Sequence, residues 1–593
     1  MLTTVSYALM QNAQELLTRW PALEVEQKRA RLQHSLRLAA GPLAASLNKT
    51  SADADRAATG LWRRDPGAWS SDAVVQKAIA DRLGWMSSPA LMADSIDRLR
   101  TFASAVKRDG FTDVVLLGMG GSSLAPEVLR AVIGVAAGWP RFHMLDSTDP
   151  AAVRAVDTPA KTTLYLLASK SGGTIEPNVL AAYFKQQLID AGVAQWANHF
   201  VAITDPGTAL HRRARDEKFR EVFENPADIG GRYSALSFFG MVPAALMGQD
   251  IAAIIGWGLA MLSASDPTSS SAMQNPAVAL GLAMGGGASA GVDKLTLLVP
   301  PALDAFGLWV EQLIAESTGK QGKGIVPIAG EPAADASKYG RDRLFARVHL
   351  ADARASGGDG VTSDAPTVDI DVAGPLALGA EFVRWEVATA VAGAILGIDP
   401  FDQPNVQQAK DATNSLLTEF KTNGTLPIAK PDRMLPNGVA LTLSSAVRKG
   451  SRQIEPDAVL SLIGEGDYFA LLAYLAPGDR ALGAALQQLR RSVRDATRAA
   501  TMFGYGPRYL HSTGQLHKGG PNSGVFLLVT AAAQPDVAIP GEPFSFGTLE
   551  LAQAVGDFGA LDASGRRAVH AHLPRPDAAL IDSLGEALLT RVR

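Results

Sequence analysis

Between residues 111 and 207 short unbroken apolar runs alternate with stretches whose apolar positions recur every three or four residues. "DVVLLG" (113–118), "TLYLLAS" (163–169) and "FVAITDPG" (200–207) are such runs, and each ends in glycine, serine or aspartate before helical periodicity resumes. Continuous apolar runs followed by helices predict buried parallel strands in βαβ units. "RFHMLDSTDP" (141–150) adds a strand that ends at Asp146. A mostly helical section is predicted over 232–285. Within it "IAAIIGWGLAMLS" (251–263) is too short to span a bilayer and reads as a buried helix. "DKLTLLVP" (293–300) restarts the alternation, and an amphipathic helix follows in "ALDAFGLWVEQLIAESTGK" (302–320). "YFALLAYL" (468–475) and "GVFLLVTA" (524–531) predict late strands, while "RASGGDGVTSDAP" (354–366) predicts an exposed loop.

At the front, residues 1–50 form an Ala/Leu/Arg-rich helical stretch without visible chemistry, and Ser51 is placed as the N-cap of a new helix. The expected fold is therefore α/β, with two sheets in tandem, each parallel and flanked by helices, plus helical arms. The expected division is an N-terminal appendage or linker (1–50), a first subdomain with the loops of interest (51–290), and a second subdomain with the C-terminal region (291–593).

A chain of 593 residues exceeds what one core supports, so several domains are expected. Apolar residues at 47% and charged residues at 19% describe an ordinary globular protein. The net charge of −4, without a long basic run, argues against nucleic acid or an anionic membrane as partner. With no cysteine, disulfides, thiolate metal sites and a cysteine nucleophile are excluded, which suits a reducing cytoplasm. The opening "MLTTVSYALMQNAQELLTRW" lacks a basic n-region and does not read as a signal peptide.

The chemistry concentrates in glycine-rich turns. "VVLLGMGGSSLAPEVLR" (114–130) has the form of a phosphate-holding strand–loop–helix unit. Gly118 and Gly120 begin a dinucleotide fingerprint, but Ser123 stands at its third glycine, and only Asp146 keeps that reading alive. A Walker loop needs Gly-Lys-Ser/Thr, whereas Lys320 precedes Gln321 and Lys323 precedes Gly324. "ASKSGGTIEP" (168–177) packs Ser169, Ser171 and Thr174 into six residues at a second strand-to-helix junction. Hydroxyls and free N–H groups at a helix N-terminus suit a dianionic phosphate monoester. Either loop alone could simply cap its helix; the pair favours a sugar phosphate. Arg232 in "DIGGRYSALSFFG" and Glu316 in "AESTGKQGKG" are candidates for a fixed cation and a general base, with an ion pair and a solvated carboxylate as the plainer alternatives. Lys410 closes "GIDPFDQPNVQQAK". His511 and His517 lie amid glycine and hydroxyls, lack the i, i+4 spacing of a metal pair, and suit proton transfer better.

Together these blocks, in this order, resemble the glucose-6-phosphate isomerase family from about residue 52 to the C-terminus. "GMGGSSLAP" and "SKSGGT" resemble its phosphate loops, "GGRYSALSFFG" and "GIDPFDQPNVQQAK" its two signatures, and "ESTGK" the segment of its catalytic glutamate. "FVRWEVATAVAGAILGIDPFDQPNV" and "HSTGQLHKGG" are closer still to the isomerase half of bacterial fusions with transaldolase. This chain is too short to hold a transaldolase as well, so residues 1–50 are expected to match the junction.

The resemblance implies two sugar-isomerase (SIS) subdomains and cofactor-free, metal-free interconversion of glucose 6-phosphate and fructose 6-phosphate through a cis-enediol, in glycolysis and gluconeogenesis. Gly121, Ser122, Ser169, Lys170, Ser171 and Thr174 would bind the phosphate. Glu316 would shuttle the proton, Arg232 would stabilise the enediolate, and Lys410 would assist ring opening. A cytoplasmic homodimer completing its site across the interface is implied as well. The sequence departs from the family in carrying Asn405-Val406-Gln407 where an acid is usual. It also lacks the Asn-Gly-Gln-His block between Glu316 and Lys410, where His349 is the only histidine. "TGQLH" (513–517) offers His517 as the ring-opening group, with His511 as competitor. The competing readings are an SIS isomerase for another hexose phosphate, such as mannose 6-phosphate, and a non-catalytic sugar-phosphate sensor.

Overall fold

The computed structural model describes residues 18–351, 361, 364–450, 455–456, 459–533 and 535–590. The first 17 residues and most of the 354–366 loop, on which two of the sequence expectations fall, lie outside the described residues.

The first sheet has the order β3-β2-β4-β5-β6 and is parallel throughout, built from β2 (Asp113–Gly118), β3 (Arg141–Leu145), β4 (Thr163–Ala168), β5 (Phe200–Thr204) and β6 (Glu221–Glu224). Its unbroken apolar runs exist because both faces are covered. Val114, Leu116, Leu164 and Leu166 pack into one core, while the alternating Val115, Leu117, Tyr165 and Leu167 pack into another.

The second sheet has the order β1-β10-β9-β7-β8, from β1 (Leu36–Ala39), β7 (Lys294–Leu298), β8 (Val326–Ile328), β9 (Arg343–Leu350) and β10 (Thr367–Val372). Residues 36–39 are thus structural: they pair antiparallel with β10, Leu36 opposite Ile370. The helix that follows runs Ala44–Arg63 and passes straight through Ser51. Ser51 does not cap it. Its hydroxyl donates to the Asn48 carbonyl (3.0 Å), an in-helix bond that replaces the expected cap.

The stretch after residue 291 was expected to hold one sheet and holds two. The third has the order β11-β12-β16-β15-β13-β14, from β11 (Arg433–Met434), β12 (Ala440–Leu443), β13 (Tyr468–Tyr474), β14 (Ala500–Tyr505), β15 (Gly524–Ala531) and β16 (Arg567–Leu573). It too is covered on both faces, by the cores containing Phe469, Leu471 and Ala473 on one side and Tyr468, Ala470 and Leu472 on the other.

A buried polar staple joins this sheet to the second. Glu331 pairs with Arg343 (2.5 Å) and accepts from the Thr501 N–H (2.8 Å) and hydroxyl (2.6 Å). Arg490 donates to the carbonyls of Gly330 and Ala329 (both 2.8 Å). The predicted helix at 302–320 spans Asp304–Thr318 and is buried nearly all round, not amphipathic, because it lies between the layers. Its Glu311 accepts from the Ala329 N–H (2.9 Å), and burial pushes its carboxyl up to about 8. The segment Ile251–Ala264 is a buried helix, as its composition predicts. Among the described residues no helix is long and apolar enough to cross a membrane.

Candidate functional site

The turn after β2 sets the site's floor. Gly120 has φ +53°, a conformation that glycine adopts without a Cβ penalty. A Cβ there would lie 2.4 Å from the His511 carbonyl oxygen, and one at Gly121 would lie 2.1 Å from that of Gly231. The two glycines therefore let three backbones touch: this turn, the Gly230–Tyr233 turn and the segment carrying His511. The Ser234 hydroxyl donates to the Gly231 carbonyl (2.6 Å), and Ser122 is buried beside it in the turn.

The turn after β4 is closed by its own hydroxyls. Ser169 Oγ accepts from the Gly172 N–H (3.1 Å) and donates to Thr174 Oγ1 (3.2 Å), and Ser171 Oγ accepts from the Gly173 N–H (3.3 Å). Thr174 is the extended residue before the Ile175–Asp190 helix, whose positive end faces the cleft. Lys170 is committed elsewhere, paired with Asp205 and donating to the Ala227 carbonyl (2.9 Å).

Glu316 sits in the last turn of the Asp304–Thr318 helix. One carboxylate oxygen lies 3.3 Å from Arg232 Nη1, and the other accepts from Gln312 Nε2 (3.1 Å). Arg232 is 2% exposed. Its other donors reach Ser317 Oγ (2.7 Å), Gln403 Oε1 (3.1 Å) and the carbonyls of Pro400 (2.7 Å) and Asp402 (2.8 Å). Lys320, the lysine of "ESTGK", clamps the same 399–402 turn through the carbonyls of Asp399 (2.8 Å) and Asp402 (2.6 Å). Burial, with the Arg232 charge nearby, brings its ammonium down to about 8.

Gln312 Nε2 also donates to the His511 carbonyl (2.8 Å), which joins the glutamate to the histidine segment. His511 Nε2 lies 2.8 Å from Glu176 Oε1, and the same oxygen accepts from Gln553 Nε2 (2.7 Å). Burial drives the Glu176 carboxyl up, but His511, with Lys410 behind it, more than offsets this and holds it below the usual carboxylate range. Lys410, on the Val406–Asn423 helix, lines one small cleft with Thr174, Glu176, Asn414, His511 and Gln553.

His517 is not part of this cluster. It is buried against the rings of Phe526 (5.2 Å) and Tyr509 (5.9 Å), and neither ring nitrogen has a partner. Burial, then Lys518 and Arg566, push its pKa well below the ordinary histidine value. His517 thus lies in an apolar core, whereas His511, its competitor in the sequence reading, stands beside Glu176 in the cleft. His511 follows β14 at the carboxyl end of a parallel strand, where ligands gather. Sequence reasoning also missed Gln312, Glu176, Gln553 and Lys320. His349 is on β9, bonded to Asp369 (2.9 Å). A larger crevice of about 1280 Å³, lined among others by Leu298, Glu311, Arg490 and Tyr505, contains none of Glu316, Arg232 and Lys410. Among the described residues no three His, Asp or Glu side chains are grouped to hold a metal ion.

Residues 90–325 match the family model for phosphoglucose isomerase, a span that holds both serine loops, Arg232 and Glu316 but neither Lys410 nor His511. A glucose-6-phosphate isomerase of Prochlorococcus marinus (strain MIT 9515) is 27% identical over 368 residues, covering 54% of this chain and 69% of that protein. One of Rubrobacter xylanophilus is 28% identical over 395 residues, covering 58% of this chain and 90% of that protein. Among solved structures, a hypothetical protein from Thermus thermophilus aligns with a TM-score of 0.52 at 24% identity, over 64% of this chain and 99% of the other. That likeness shows the shared α/β fold.

Proposed function

We propose that this chain, whose residues 90–325 match the phosphoglucose isomerase family model, interconverts glucose 6-phosphate and fructose 6-phosphate with the groups described above. The phosphate sits at the N-terminus of the Ile175–Asp190 helix, between the Ser122 turn and the Ser169, Ser171 and Thr174 hydroxyls. A phosphate monoester there meets free N–H groups and the positive end of the helix dipole. Lys170, engaged by Asp205, acts on this turn's shape and not on the phosphate itself.

His511, oriented by Glu176, donates a proton to the ring oxygen as the C1–O5 bond breaks and the C1 hydroxyl releases its proton to water, and Lys410 beside it steadies the developing charge. In the open aldose Glu316 takes the C2 proton. The electron pair moves into a C1–C2 double bond as the C1 oxygen takes the negative charge; a proton then passes from the C2 hydroxyl to the C1 oxygen, and the same carboxyl returns its proton to C1 as the C2 oxygen becomes the ketose carbonyl. A carboxylate can serve two adjacent carbons on one face without leaving its place. Arg232, fixed by four other acceptors, supplies a preorganised positive charge against the enediolate.

The observation that carries this reading is one network: Gln312 Nε2 bonds both the Glu316 carboxylate and the His511 carbonyl, while Arg232 faces that carboxylate. Glu316, Gln312 and His511 meet within one chain, and the homodimer that the resemblance implies belongs to the same reading as its assembly. A cytoplasmic setting belongs to the same reading. Proton NMR in D2O tests it. Deuterium should enter C1 of fructose 6-phosphate and C2 of glucose 6-phosphate with the native protein and not with Glu316→Gln. Turnover and deuterium entry in Glu316→Gln that match the native protein refute the glutamate's role.

A further inference from the structure

The cluster behind His511 is more ordered than ring opening alone requires. Glu176 is 2% exposed, and its Oε1 is shared by His511 Nε2 (2.8 Å) and Gln553 Nε2 (2.7 Å). Gln553 lies on the Phe546–Ala563 helix of the third-sheet layer, is itself buried, and has its amide orientation set from the far side. The Thr148 hydroxyl donates to Gln553 Oε1 (2.9 Å), so the NH2 group must face Glu176. Against burial, His511 holds the Glu176 carboxyl below the usual carboxylate range, so the carboxylate takes the Nε2–H of His511 and leaves Nδ1 as the ring's other working nitrogen. One turn further along the same helix, Asp557 accepts from the Tyr509 hydroxyl (2.7 Å) and the Lys518 ammonium (2.6 Å). The helix thus holds the Arg508–His511 turn twice, through the Tyr509 hydroxyl on Asp557 and through Gln553 on Glu176, the imidazole's partner.

We infer that Gln553 is a positioning residue for the isomerase, fixing the tautomer and orientation of His511 through Glu176, with Thr148 fixing Gln553 in turn. This rests on the isomerase reading given above. Carboxylates that orient a catalytic or metal-bound imidazole are themselves commonly held by hydrogen bonds, and loss of such a partner costs about 10- to 100-fold in function. The titratable groups facing Glu176 are His511 from the turn after β14, Lys410 from the Val406–Asn423 helix and Tyr474 from β13. Tyr474 stays neutral because burial and then Asp557 push its phenol well up. Burial, then Asp149 and Asp536, push the carboxyl of Glu550, one turn before Gln553, well above the usual range.

The test compares native protein with Gln553→Leu, Gln553→Glu and Thr148→Val in fructose 6-phosphate turnover from pH 5 to 9, beside thermal unfolding and imidazole 15N NMR of His511. Gln553→Leu should lower kcat about tenfold with KM little changed. Gln553→Glu should work at the acid end, where its carboxyl is protonated and can donate to Glu176. Its activity should fall as that carboxyl ionises and two carboxylates face each other. Thr148→Val should fall between. The 15N spectrum should show Nε2–H in the native protein and a mixture of tautomers in Gln553→Leu. Unchanged pH profiles with an unchanged tautomer overturn the inference. If the native protein has no isomerase activity, the functional reading fails instead, and the tautomer comparison still decides the role of Gln553. If Gln553→Leu does not fold, Thr148→Val decides by the same two readouts.

Discussion

Replacing Gly121 by alanine adds one methyl group where two backbones meet. Its Cβ would lie 2.1 Å from the Gly231 oxygen, 2.2 Å from the Gly231 carbon and 2.9 Å from the Arg232 nitrogen. All three are main-chain atoms, so no side chain can swing aside. Ordinary contact begins near 3.4 Å, so the two turns must part by about 1.3 Å. One turn carries Ser122 and the other Arg232, so the phosphate grip moves away from the cation that faces Glu316. Displacements of about 1 Å cost on the order of 100-fold in rate, close to 2.7 kcal/mol of transition-state stabilisation. A coupled assay of fructose 6-phosphate isomerisation should therefore show kcat/KM of Gly121→Ala reduced by about 100-fold. Gly559→Ala, where a Cβ meets nothing within 4 Å, should leave kcat/KM unchanged. If Gly121→Ala retains full kcat/KM with unaltered melting temperature, the close apposition of the two turns is not what sets the site.

His511→Ala should abolish turnover of the cyclic sugar. His517→Ala should keep the chemistry and lose stability, by about 1–3 kcal/mol in denaturant unfolding, because it opens a hole beside Phe526 and Tyr509; the opposite pattern would restore His517. Mixing Glu316→Gln with His511→Ala, both inactive, should yield no activity after co-refolding, since base and imidazole come from one chain; recovery near a quarter of native activity would mean a site shared between chains. Glu311 is protonated in the fold with its carboxyl near 8 and ionises at the ordinary value when unfolded, so the folded state holds the extra proton between the two. Its stabilising contribution is complete below pH 4.5 and is lost as pH rises to about 8. Glu311→Gln should flatten the melting temperature over that range, and an unchanged slope would show Glu311 ionised in the fold.

The strands of the first sheet were legible because burial on both faces leaves unbroken apolar runs, and glycine and serine mark their carboxyl ends. What stayed hidden depended on distant partners. Residues 36–39 carry too little local pattern to announce a strand that pairs with β10. The 304–318 segment shows helical spacing, yet no local signal tells that layers cover it on every side. Two separate sheets after residue 291 look alike from within the chain, since a β14 edge facing β8 is set by Glu331, Arg343 and Arg490. In the site, Arg232, Glu316 and the serine turns could be picked out from their motifs. Gln312, Glu176 and Gln553 could not. Their roles come from contacts across 199, 335 and 377 residues of sequence. What separates His511 from His517 in the fold is their surroundings, an ion-paired cleft against an apolar core, which two histidines in similar polar strings do not display.

The most direct measurement is fructose 6-phosphate to glucose 6-phosphate, read through an NADP-linked dehydrogenase with EDTA present, for native protein beside Glu316→Gln. The predicted result is turnover by the native protein and a loss of about 1000-fold or more in kcat for the variant, with KM little changed. Native turnover that survives in Glu316→Gln would contradict the assignment of the proton shuttle, and no turnover in either would contradict the isomerase itself.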